Sequence, residues 1–133
     1  MDQKFADRTT LTHLALVHID SGMRRLHTRP PLTLVCDGIT PTYHHANGTL
    51  FFNVKYELRA TDRDGDDTWH LTCDYCAIYS FKGEPPTQYE ANAMLGTVFT
   101  LVHNQLRELV HSMTGYGGMQ PLILDVATFP RAA

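Results

Sequence analysis

No stretch in these 133 residues approaches the roughly 20 consecutive apolar residues that cross a bilayer as a helix. The first dozen residues carry Asp2, Lys4, Asp7 and Arg8 in place of an apolar core, so no export signal is expected there and the chain is expected in the cytosol. Basic residues are scarce: 11 Lys and Arg against 14 Asp and Glu leave a net charge of −3, which argues against a nucleic-acid surface. Cysteine is limited to Cys36, Cys73 and Cys76, an odd number that suits free thiols in a reducing compartment. The sequence also lacks a Gly-x-Ser-x-Gly elbow, a His-Glu-x-x-His pair and a Gly-Lys-Ser/Thr phosphate loop, which by itself is weak evidence against an enzyme; no cofactor is expected. The chain has no repeats and no low-complexity tract, and its length suits one domain spanning 1–133.

What the sequence does contain is alternation. Leu11 to Ile19 alternates imperfectly and reads as a first strand. A loop from Asp20 to Pro31 follows, closed by Pro30-Pro31. Leu32 to Tyr43 is β-prone, with an irregularity expected at Gly38 or Pro41. Asn47-Gly48 and Asp64-Gly65 are hairpin signals, because a type I′ turn needs positive φ at both central residues. Between them Leu50, Phe52, Val54, Tyr56, Leu58 and Ala60 take one side of a strand, with Phe51, Asn53, Lys55, Glu57 and Arg59 on the other. Trp69, Leu71, Cys73, Tyr75, Ala77, Tyr79 and Phe81 repeat the apolar side in the next strand, where only Ile78 breaks the pattern.

The period then changes from 2 to 3.6. From about Asn92 to Thr114 the spacing predicts a helix. Its residues Leu95, Val98, Phe99, Val102, Leu106, Leu109, Val110 and Met113 fall within an arc of about 120°, with His103, Arg107 and His111 opposite in solvent. Gly115 is placed to end it. Met94, Leu101, Gln105 and Ser112 form a second stripe beside the arc, which either borders the core or meets another subunit. Pro121 to Val126 is extended. The fold expected is α+β: a four-stranded antiparallel meander packed on one long C-terminal helix.

Several spacings suggest chemistry that strand geometry discounts. Cys73-Asp-Tyr-Cys76 has redox or zinc spacing, but residues three apart on a strand point to opposite sides, Cys73 inward and Cys76 outward. His44-His45 diverge for the same reason. Asp62, Asp64 and Asp66 resemble the start of a calcium loop, yet Gly65 is out of place and Cys73 stands where the bidentate Glu belongs, so a charged hairpin tip is expected. No metal site is expected.

A family resemblance begins in the helix. Arg107-Glu108-Leu109-Val110, Met113, Gly117-Gly118, Pro121-Leu122-Ile123-Leu124 and Phe129 together resemble the SecB-like chaperones, and the strands Phe51 to Arg59 and Leu71 to Phe81 are similar to that family's alternating strands. Departures are Met119-Gln120 where the family has Phe-Pro, Val126 in place of a proline, and Thr128 in place of an asparagine. The resemblance implies an ATP-independent holdase for unfolded or extended polypeptides, assembled as a homotetramer or dimer, without nucleic acid or membrane. The sequence stops at Ala133, without the usual second helix and the tail that docks on the SecA motor. That departure points to a solitary SecB-like chaperone serving one client, such as the antitoxin of a toxin–antitoxin pair.

A holdase needs apolar surface within reach of clients. Candidates are Met23 and Leu26 in the Pro-ended loop, Tyr43 and Phe51 on the sheet, and Met119, Leu122, Leu124 and Phe129 after the helix. For Leu122, Leu124 and Phe129, packing the tail onto the helix is the expectation ahead of client contact. The stripe Met94, Leu101, Gln105 and Ser112 is the candidate oligomer interface. The rival function is a small-molecule-binding or dimerising interaction domain of the same α+β class.

Overall fold

The computed structural model describes residues 4–24 and 31–116. A single 3-10 turn, Phe5–Arg8, leads into β1 (Thr9–Met23), followed by β2 (Thr33–Ala46), β3 (Thr49–Thr61), β4 (Asp67–Phe81) and one helix, α1 (Gln88–Tyr116). The sheet is antiparallel throughout and its order is β1-β4-β3-β2. The three hairpin-linked strands run as a meander, and the first strand returns to lie beside the last.

The turns show why the hairpins form. Asn47 and Gly48 hold φ of 52° and 77°, the two positive values that close a two-residue connection with strand-matching twist. The second tip does not follow its Asp-Gly signal. There only Gly65 takes positive φ, 80°, because Asp62 organises a longer loop. Its Oδ1 accepts the N–H groups of Asp64 at 2.9 Å and Asp66 at 3.2 Å, and its own N–H donates to the Asp66 carbonyl at 3.0 Å.

β3 alternates buried and half-exposed side chains as its sequence demands, and β4 does the same. β1 is less regular for an identifiable reason. Register shifts at Thr12 and Val17 insert one extra residue each, and these bulges bring Leu11, Leu14, Leu16 and Ile19 to one side, opposite Tyr79, Ala77, Tyr75 and Cys73. β1 also runs on through Asp20 to Met23, where a loop is expected from sequence; Met23 pairs with Trp69. In β2 the irregularity falls at Asp37, between Cys36 and Gly38, and aims the Asp37 carboxylate at Arg59 of β3, whose Nε lies 3.0 Å from Oδ1. Pro41 keeps register on this edge strand, the position where a missing N–H is tolerated.

The helix begins four residues before Asn92. Thr87 and Glu90 form a capping box: the Glu90 N–H donates to Thr87 Oγ1 at 3.1 Å, and the Thr87 N–H donates to Glu90 Oε1 at 3.0 Å. Gly115 does not end the helix, which runs to Tyr116. Packed most closely over β3 and the 3-10 turn, α1 joins Met94, Leu95, Val98, Val102, Leu106 and Val110 to the apolar sides of β3 and β4 in one core.

The buried line on α1 is not a fixed arc. Early in the helix it follows Ala91, Met94 and Leu95; later it follows Leu106, Val110 and Thr114, having rolled about 105° at 100° per residue. His103, expected in solvent, is therefore buried, Arg107 is half-buried, and Leu109 is only half-buried. A straight helix crossing a twisted sheet presents a changing face to it. The 3-10 turn closes the near end of the core: Phe5 is buried, 5.5 Å from the Phe81 ring, and the Arg8 guanidinium donates to the Lys82 and Glu84 carbonyls in the connection before α1.

Candidate functional site

One helix resting over β3 cannot cover four long strands. On the helix side of β1, Leu11, Leu16 and Ile19 remain 39%, 39% and 40% exposed, and Val17 at the second bulge is 59% exposed. Leu14 and Met23 on the same strand are half-buried against the core. At the other edge, the β2 residues Leu34, Ile39 and Tyr43 are half-buried on the helix side, as is Leu32 just before the strand. The sheet thus carries apolar flanks on both sides of its helix.

The candidate client-contacting residues distribute unevenly over this surface. Met23 lies at the β1 edge opposite Trp69, towards one end of the sheet. Tyr43 lies at the β2 edge towards the other end, its ring 6.1 Å from Phe52. Phe51 is on the opposite, open side, stacked on His44 at 4.7 Å and 11°. The structure does not bring these three together. Leu26, Met119, Leu122, Leu124 and Phe129 lie outside the described residues.

Of the candidate interface stripe, Met94 is buried in its own chain's core, Leu101 is half-buried, and Gln105 and Ser112 are exposed. A second feature of this helix went unread in the sequence although its signal was present. From Ala91 to Leu106 there is no Asp, Glu, Lys or Arg, and the exposed residues are Ala93, Gly96, Thr97, Thr100, Asn104 and Gln105. Solvent-facing helix surfaces ordinarily carry charge. A Cβ added at Gly96 would meet nothing within 4 Å, so the glycine has no packing reason within the chain.

The open side of the sheet carries its ion pairs. Arg59 bridges Asp37 of β2 and Asp67 of β4, with Nη1 3.1 Å from Asp67 Oδ1, and Lys55 lies 3.6 Å from Glu57. His70 lies 3.9 Å from Asp20 across the β1–β4 ladder, its ring packed where Gly22 offers no side chain. His44 and His45 diverge, the second meeting Phe81 edge-on at 6.4 Å on the helix side.

The thiols follow the strand argument. Cys73 is buried and Cys76 half-buried on the other side, so the pair does not converge; Cys36 is exposed. Burial, helped by the Asp74 charge, pushes the Cys73 thiol up to about 12. The carboxylates of Asp62, Asp64 and Asp66 come within 4.8 Å of one another at the hairpin tip. The tip's geometry is already accounted for by the two backbone N–H groups that Asp62 holds. Among the described residues, a recess along α1 is lined by Asn104, Arg107, Glu108, His111 and Ser112. Among the described residues no helix is long and apolar enough to cross a membrane.

An open four-stranded antiparallel sheet with one long C-terminal helix on a single side is the SecB-like fold. Among the solved structures similar to it is the SecB-like chaperone Rv1957 of Mycobacterium tuberculosis, in complex with a ChAD peptide from the Rv1956 HigA1 antitoxin. The two superpose with a TM-score of 0.81 over 96% of each chain, at 20% sequence identity. A scan against protein-family models gives no match, and neither does a search of curated proteins.

Proposed function

We propose that this chain is a SecB-like chaperone of the cytosol that holds extended segments of other polypeptides, without ATP and without catalysis. The observation that carries the reading is the fold shared along almost the full length of both chains with a chaperone solved around a client peptide. The apolar flanks beside α1 supply the physical means. Client side chains buried there contribute roughly 25 cal/mol per Å² of apolar surface removed from water. Backbone groups at a sheet edge offer an extended segment hydrogen bonds as well. A single dedicated client, such as an antitoxin, is the narrower form of this reading, supported by the antitoxin peptide bound to the similar chaperone. The chain is proposed to work as a homo-oligomer, as the family resemblance implies, and the exposed Leu11, Leu16, Val17 and Ile19 of β1 are apolar surface that such a contact would cover.

The test is aggregation of a chemically unfolded protein in the absence of nucleotide, with light scattering reporting the chaperone's own size. Suppression is expected, and it persists at high salt because screening weakens ion pairs while leaving the hydrophobic contribution in place. Replacing Leu16 and Ile19 on the β1 flank with serine is expected to weaken client binding while the far-UV spectrum stays unchanged. A strict monomer would remove the oligomer from the proposal. Failure to bind several unfolded clients, together with failure to bind an antitoxin peptide, at tens of micromolar protein would overturn the chaperone reading.

A further inference from the structure

We draw no further inference here: the strongest candidate, the uncharged outer face of α1 from Ala93 to Asn104 around Gly96, is an unpartnered helix face of small residues, and nothing in the structure shows what covers it.

Discussion

Leu106 and Leu109 are three residues apart, yet Leu106 is fully buried and Leu109 is half-buried. A helical wheel drawn from the sequence places both inside the apolar arc and cannot separate them, because it assumes one unchanging core direction. Leu106→Ala is expected to cost about 2–5 kcal/mol, as leucine truncations in closed cores do. Leu109→Ala is expected to cost clearly less; urea melts of the two variants check the order, and equal losses would refute the rolled buried line. The same drift explains why His103 was read as solvated: polarity suggested an outer position, and the twist beneath it was not legible in the chain. Burial has a further consequence for the core's acidic groups. It raises Cys73 to about 12 and lifts Tyr56 and Tyr75 beyond the ordinary phenol range, with Tyr79 raised too. The unfolded chain releases these protons first, from about pH 8.5 for the thiol and about 10 for the phenols. The stabilisation is therefore whole below that range and is lost as pH climbs through it. The urea midpoint is expected to fall steadily above about pH 9. Absorbance at the phenolate band should show Tyr56 and Tyr75 ionising only with unfolding. Ionisation of all tyrosines without loss of structure would contradict the packing.

At the scale of elements, β3 and β4 were legible almost residue by residue, since strict alternation fixes both the element and its buried side. β1 was legible only as a strand. Its broken alternation is the mark of bulges at Thr12 and Val17, and nothing local identifies which residues a ladder will leave out. The start of α1 was legible and missed: Thr87-Gln-Tyr-Glu90 is a capping-box signature lying before the first residue of the apolar period. Thr87→Ala removes the acceptor for the Glu90 N–H and is expected to destabilise the protein by about 1 kcal/mol. Faster hydrogen exchange confined to the first turn of α1, with the later turns unchanged, is the accompanying measurement. A loss below a few tenths of a kcal/mol would mean that core packing alone fixes the helix start. Of the candidate site, the sequence identified apolar residues outside the core pattern but not their grouping, because Tyr43 and Phe51 look alike in composition and fall on opposite sides of the sheet.

For the whole molecule, the order β1-β4-β3-β2 could not be read from alternation, which says which side of a strand is buried and not which neighbour it finds. That order also decides when each strand can pair. The β2–β3 and β3–β4 ladders grow outward from tight turns, whereas β1 must wait for β4: Thr9 meets Phe81, and Met23 meets Trp69. Closing the long loop is costly before the contacts that reward it exist. Leu71→Ala in β4 is therefore expected to slow refolding, while Leu14→Ala in β1 mainly speeds unfolding; stopped-flow measurements on the two variants separate these, and a slowed refolding for Leu14→Ala would place β1 in the nucleus. On the ribosome the interval lengthens to seconds, at about 5–20 residues per second. Throughout it, Leu11, Leu14, Leu16 and Ile19 wait on an emerging, unpaired and extended segment. Each newly made copy thus begins as the kind of polypeptide that finished copies are proposed to hold.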